Sequence, residues 1–272
     1  MSAVVVRPLG IADVAEVAQL VKRSFDPELL PYMIYGQAGI DSFLAAGVTL
    51  GGATPHVRRL VVTHAQTPAS IDAYGDFRLN GSAAFLSYIC VSEAMRGRRL
   101  ATRLIAEFVA ANPHADTLAL DVFHDNNPAI NLYRSLGFQD SSSTCWVRRP
   151  VPEGSSVEND GGPAVVANLP MVQPAYDRYG FCEVEVEIAE GTPTERVGLL
   201  GPGVVRCHSS AAFENDGLLI GLKRTFPQLE VAFAVVSEEL TSEGSKPSEI
   251  FCRSNRMTLK LDQFRAHRRG LV

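Results

Sequence analysis

Arg96, Arg98 and Arg99 crowd with Gly97 in front of a helical pattern that begins at Leu100 and Ala101, within the segment CVSEAMRGRRLATRLI. A helix N-terminus already carries partial positive charge from unpaired N–H groups, so arginines there are electrostatically wrong unless an anion sits against them. A strand, a tight loop with glycine and a helix start would turn several free N–H groups toward one point, which is a phosphate cradle. The arginines would add charge-assisted bonds that a diphosphate accepts. The other reading of the same residues is a basic helix start that is solvated or paired with Glu93. The loop alone leaves both open.

The elements that must position this loop are legible on either side of it. AVVVRPL reads as a strand, and Ile11, Val14, Val17, Leu20 and Val21 keep helical spacing after it. A helix is expected around GIDSFLAAG. HVRRLVVTHA and SIDAYGDFRL read as strands, with Asn80-Gly81 as a hairpin turn leading into the apolar strand SAAFLSYICV. Beyond the arginines a helix is expected from about Arg98 to Ala111, then a buried strand TLALDVF. NNPAINLYRSL is a second helix, with Asn127 as cap, Pro128 at the first position and Gly137 as stop. FQDSSSTCWVRRP closes this part as a strand.

The chain of 272 residues is long for one domain and comfortable for two, and 46% hydrophobic residues allow a sizeable core. The net charge of −5 argues against a nucleic-acid partner. Residues 1–150 hold thirteen acidic and thirteen basic side chains, so the deficit lies beyond them. No signal peptide or membrane-length apolar run is seen, which excludes a membrane partner and gives a cytoplasmic expectation. Cys90, Cys145, Cys182, Cys207 and Cys252 have no metal-ligand spacing and read as free thiols, and no metal site is expected.

Pro150–Pro163 (PVPEGSSVENDGGP) reads as a linker. The expected domains are therefore 1–149 and a smaller, mostly-β domain at 164–272, joined by residues 150–163. In the second domain FCEVEVEIAE alternates apolar and acidic residues, as a half-exposed strand would. ERVGLLGPGVVRCH, LEVAFAVVSEEL and EIFCRSNRMTLKL add strands, and AAFENDGLLIGLKRTF one helix. LYRSLGF and AYDRYGF share Tyr, Gly and Phe at one spacing. No second arginine-rich helix start accompanies the echo, and it reads as coincidence.

The two blocks around residues 96–101 and 120–138 together resemble the GCN5-related N-acetyltransferase (GNAT) superfamily, over roughly residues 4–149. That family's acetyl-CoA motif is Arg/Gln-x-x-Gly-x-Gly/Ala after an apolar strand. Arg96, Leu100 and Ala101 match its frame, Gly97 is a flexible residue one place in, and Arg99 stands where the motif has glycine. The downstream pattern Leu-x-Val-x-x-x-Asn-x-x-Ala-x-x-x-Tyr-x-x-x-Gly-Phe is present in full as Leu120, Val122, Asn126, Ala129, Tyr133, Gly137 and Phe138. The resemblance implies an α/β fold with a mixed, mostly antiparallel central sheet flanked by helices. It implies acetyl-CoA as co-substrate, with pantetheine beside Ile89, Cys90 and Val91 and the pyrophosphate on the amides of Arg96, Gly97, Arg98, Arg99, Leu100 and Ala101. Asn126 would contact the cofactor arm, and Tyr133 would protonate the departing thiolate. Arginine at position 99 is expected to be tolerated if that residue already has right-handed helical torsions.

The acceptor implied is a primary amine, on a small molecule or a protein. An amine arrives as ammonium, with a pKa near ~10, and must lose a proton before it attacks. The strand AFLSYICV carries no carboxylate for that purpose, so Asp121, His124 and Glu93 are the candidates by proximity in sequence. The C-terminal domain would act as a substrate-side lid, a dimerisation surface or both, which allows a homodimer. The alternative from another class is a non-catalytic acyl-CoA-binding module whose β-rich domain docks a partner protein.

Overall fold

The computed structural model describes residues 4–51, 56–64, 67–153, 164–188, 194–238 and 247–269. The apolar runs at the start form β1 (Val4–Pro8) and α1 (Val14–Ser24), and α1 buries Val14, Val17, Leu20 and Val21 at the expected spacing. They are followed by α2 (Ile40–Thr49), β2 (Val57–His64), β3 (Thr67–Asn80), β4 (Ala83–Val91), α3 (Leu100–Ala111), β5 (Thr117–Phe123), α4 (Asn127–Ser135) and β6 (Gln139–Pro150). The rest of the chain gives β7 (Val165–Val166), α5 (Leu169–Tyr179), β8 (Phe181–Glu187), β9 (Glu195–Leu200) and β10 (Val204–Cys207). It continues through α6 (Ser210–Glu214), α7 (Asp216–Thr225), β11 (Val231–Ser237), β12 (Glu249–Lys260) and α8 (Leu261–Arg269).

Two units result. Unit 1 comprises Met1–Asp26, Phe43–Ser142 and Ser254–Val272; unit 2 comprises Pro27–Ser42 and Ser143–Arg253. The expected domains 1–149 and 164–272 are each continuous, whereas the units are not: Pro27–Ser42 and most of β6 lie in unit 2, and the end of β12 lies in unit 1. Residues 154–163, most of the expected linker, lie outside the described residues.

In unit 1, β1, β2, β3 and β4 pair antiparallel in that order, β4 pairs parallel with β5, and β5 pairs antiparallel with Ser254–Lys260 of β12. The hairpin between β3 and β4 pairs Asn80 with Ala83, so its loop residues are Gly81, at φ +60°, and Ser82, one step later than expected. A left-handed torsion there needs no Cβ to be accommodated, which is why glycine serves. One face of the sheet packs on α3, where the Phe77 and Phe108 rings stack at 4.2 Å. Leu100, Leu104, Ile105 and Val109 share that core with Leu118, Leu120 and Val122 of β5.

Unit 2 repeats the pattern. β7, β8, β9 and β10 pair antiparallel in order, β10 pairs parallel with β11, and β11 pairs antiparallel with β6 over Thr144–Pro150. β8 alternates as the sequence indicated, with Val184 and Val186 buried and Glu183 and Glu185 outside. Of the expected strands, ERVGLLGPGVVRCH is two, β9 and β10, paired antiparallel, and the expected single helix is also two, α6 and α7; α5 was not anticipated. α7 covers the sheet with Leu218, Leu219 and Leu222. The duplication is thus one of strand order. The Tyr-Gly-Phe echo does not mark it, because one copy leads from α4 into the strand after β5 and the other from α5 into β8, second in its unit's order.

Candidate active site

The site in unit 1 begins where two parallel strands part. β4 is nine residues long, but its ladder with β5 runs only from Ala83↔Thr117 to Leu86↔Leu120, while β5 continues to Phe123 against β12. The register with β3 also slips between Asp76 and Phe77, leaving Ser87 as a bulge opposite them. Ile89, Cys90 and Val91, expected beside the cofactor arm, therefore lie on the stretch of β4 past the end of the β5 ladder. A strand edge of that kind can take an extended ligand as its next partner.

The chain then turns through Glu93–Met95 and enters α3. Met95 and Leu100 are buried, while Arg96, Gly97, Arg98 and Arg99 are exposed. Gly97 has φ +75°. Arg99 is the N-cap of α3 at φ 59°, ψ 25°, and is the one non-glycine residue with positive φ among the described residues. This corrects the expectation of right-handed torsions: arginine occupies the left-handed conformation in which glycine is at ease, at a cost of about 1–2 kcal/mol. The cap has no side-chain hydrogen bond and the first turn holds no acidic residue. The first ladder bond is donated by Arg103 N–H to Arg99 O at 3.0 Å, so the preceding first-turn amides have no ladder partner. No ion pair joins Glu93 to Arg96, Arg98 or Arg99 among the described residues, so the charge cluster is not neutralised by that acid and its side chains face solvent. Arg98 does act electrostatically on Asp72, whose carboxyl is pushed up chiefly by burial and held back by His64.

Tyr133 lies on the buried face of α4 with its ring 5.5 Å from that of Phe138. Burial raises its pKa well above the ordinary phenol value, with Cys90 as the further cause. Cys90, buried on β4, is pushed up to about 12 by burial, against the pull of a hydrogen bond from Ser24 and the charge of Arg96. Tyr133 and Cys90 are thus within electrostatic reach, at the parted strands. Three rings cluster at these strands: Phe25, at the end of α1, stands edge-on to Tyr88 of β4 at 5.9 Å and to Phe123 of β5 at 6.2 Å.

The remaining sequence candidates are placed differently. Asn126 Oδ1 accepts from Ala129 N–H at 3.2 Å, which makes Asn126 the cap of α4 in place of Asn127. Asp121 is held by Arg256 in a two-pronged pair, with both N–O distances 2.8 Å, and so is engaged as a structural anion. His124 and Glu93 are exposed. The residue that sequence reasoning missed is Asp76 of β3, fully buried, whose Oδ2 accepts from Arg59 Nε at 3.1 Å and from Tyr74 OH at 3.3 Å. Its Oδ1 has no hydrogen-bond partner among the described residues. SIDAYGDFRL reads as a strand in the sequence, which by itself does not tell that the Asp76 carboxylate is buried.

This arrangement of parted parallel strands, basic helix start and buried tyrosine defines a class. Residues 59–138 match the model of the Acetyltransferase (GNAT) family. These residues form a GNAT acetyltransferase domain. Nearly the whole chain is also similar in fold to solved structures. A tandem GNAT protein from the clavulanic acid biosynthesis pathway aligns with 95% of this chain and 99% of its own, at 13% identity and TM-score 0.61. A putative acetyltransferase from Pyrococcus horikoshii aligns over 96% and 90%, at 15% identity and TM-score 0.61. A GCN5-related N-acetyltransferase from Sphaerobacter thermophilus aligns over 95% and 96%, at 11% identity and TM-score 0.59. No curated protein matches the sequence. Among the described residues no helix is long and apolar enough to cross a membrane, and no group of three or more His, Cys, Asp or Glu is placed to hold a metal ion.

Proposed function

We propose that unit 1 transfers the acetyl group of acetyl-CoA to a primary amine by direct attack, with Tyr133 as the general acid. The observation that carries this reading is the run of β4 beyond Leu86, which leaves β5 and leads straight into an uncapped, arginine-rich helix start. An extended pantetheine arm would pair with Ile89–Val91, and its diphosphate would meet the amides of Arg96–Ala101 with the exposed arginines around it. Attack on the thioester creates a tetrahedral oxyanion, which a backbone N–H of the freed β4 edge would stabilise. The leaving thiolate needs a proton, and a phenol whose pKa is raised by burial keeps its proton through neutral pH until that charge develops beside it. The acceptor is an amine, small or protein-borne, admitted past Phe25, Tyr88 and Phe123.

Calorimetry of the full chain with acetyl-CoA, coupled to thiol release with primary amines, tests the reading. Binding near one per chain is expected, with stabilisation of about 2.7 kcal/mol at a hundredfold excess over Kd, and amine-dependent release of CoA. No heat and no stabilisation at millimolar acetyl-CoA would overturn it. Binding without release for any amine would leave a non-catalytic acyl-CoA module in its place.

A further inference from the structure

We propose that Asp76 is the base of unit 1: its Oδ1 takes the proton of an acceptor that arrives as ammonium, so the substrate class is cationic amines. The proposal rests on the acetyl-transfer reading above. Direct attack requires a proton acceptor; Asp121 is held by Arg256, and His124 and Glu93 are exposed.

Asp76 meets the requirement by position. Directly paired residues of antiparallel strands point to one face of the sheet, and Asp76 pairs with Tyr88 and Tyr74 with Cys90. Asp76, Tyr88 and Cys90 therefore share a face at the bulge of Ser87, where β4 has left β5. Asp76 stands diagonally from Cys90, at roughly 7–8 Å for such neighbours, and Cys90 is the group that acts on Tyr133. Acid and base thus flank the same residue of β4.

Its bonding is lopsided. Arg59 from β2 and Tyr74 from β3 both bond to Oδ2, while Tyr88 and Cys90 are the titratable groups that β4 places on this face; α2 contributes Phe43 and Gly47, both against Arg59. Oδ1, fully buried, is left without a donor among the described residues. A buried carboxylate oxygen is normally paired, because leaving it unsatisfied is costly. An ammonium N–H is the donor that chemistry at this place would bring.

In the step, an N–H bond of the ammonium breaks and its proton passes to Asp76 Oδ1. The freed nitrogen lone pair forms the C–N bond at the thioester carbon. The C–S bond then breaks, and its electron pair takes the Tyr133 proton. The nitrogen gives up a second proton on collapse, which restores Tyr133, and Asp76 returns its own to solvent. One proton is released per turnover.

The test is the pH dependence of kcat/KM for 1,4-diaminobutane and for a short peptide with a free N-terminus. Asp76→Asn should lower kcat/KM about a hundredfold at neutral pH with acetyl-CoA affinity unchanged. The deficit should shrink as pH rises toward the pKa of the amine, because the free amine needs no base. Should Asp76→Asn fail to fold with Arg59 left unpaired, the double variant Arg59→Gln, Asp76→Asn replaces the ion pair by neutral amides. That protein should fold and bind acetyl-CoA yet keep the same deficit. A pH-independent deficit, full activity of Asp76→Asn, or restored turnover in the double variant would overturn the proposal while leaving acetyl transfer standing. Absence of turnover in the unmodified chain with both amines would overturn both.

Discussion

Both units place a buried cysteine at the end of the fourth strand of one shared strand order, Cys90 on β4 and Cys207 on β10, yet the two strands end in different surroundings. In unit 1 the parallel ladder stops at Leu86 and five further residues of β4 run free of β5; in unit 2 the ladder Val204↔Val231 to Cys207↔Ala234 covers the whole of β10. The helix start in unit 1 has arginines and no side-chain cap. In unit 2, Ser209 Oγ accepts from Ala212 N–H at 3.0 Å and Asn215 Oδ1 from Leu218 N–H at 2.9 Å. Asp216, in the first turn of α7, is itself paired with Arg149 at 2.8 Å. The amides that could hold a phosphate in unit 1 are thus met in unit 2 by the chain's own side chains, with an acid added that would repel an anion. One strand order thus ends in two ways: in unit 1 the fourth strand runs on past its parallel ladder, and in unit 2 the ladder covers it to its end.

The largest effect that would sharpen this contrast is on catalysis in unit 1. Tyr133→Phe removes the one proton that the buried phenol can give and changes little else, since the ring and its contact with Phe138 remain. We expect kcat to fall by about a hundredfold, with acetyl-CoA affinity unchanged in calorimetry. Full turnover in that variant would remove the acid from Tyr133 and leave the rest of the site intact.

The next effect, smaller, belongs to unit 2. Ser209→Ala and Asn215→Ala each remove a cap and should lower thermal stability by about 1 kcal/mol, without altering acetyl-CoA affinity or turnover. If either variant instead changed the Kd for acetyl-CoA, the helix starts of unit 2 would have to contribute to ligand binding, and the division of labour would be lost.

The legibility of the two units mirrors the same division. Unit 1 could be read because its chemistry sits in contiguous stretches: β4 runs into the arginines, and β5 into the Asn126–Tyr133–Phe138 run. Alternation in β8 correctly showed which residues are buried, but alternation says only that a strand is half-covered, and pairing partners are set by the register of segments far apart in sequence. Hence neither the pairing of β12 with β5 nor that of β6 with β11 was visible, and the cut expected after residue 149 keeps to the chain where the units do not. Asp76 escaped for a related reason: candidates for the base come from residues close in sequence to the two motif blocks, and Asp76 is brought to β4 only by the pairing of β3. Arg99 was noticed, but its torsion was not, because nothing in the letters around it distinguishes a right-handed residue from a left-handed one.

The smallest effect separates the units at a single torsion. Among the described residues of unit 2 those with positive φ are glycines, Gly180 at +74° and Gly201 at +58°, whereas unit 1 keeps an arginine at +59° at the start of α3. Arg99→Gly removes a strain of about 1–2 kcal/mol and adds the greater entropy loss of glycine on folding, about 0.5–1 kcal/mol. The net gain is about half a kilocalorie, a rise in Tm of one or two degrees at about 2–4 °C per kcal/mol. The free amides of the first turn are unchanged by the substitution, so the Kd for acetyl-CoA should stay within about threefold, a factor worth less than 1 kcal/mol. A fall in Tm would show that the Arg99 side chain makes a stabilising contact exceeding its strain. A loss of affinity beyond tenfold, relieved at high salt where screening would mask the same charge in the unmodified protein, would make Arg99 a phosphate ligand retained in spite of its backbone.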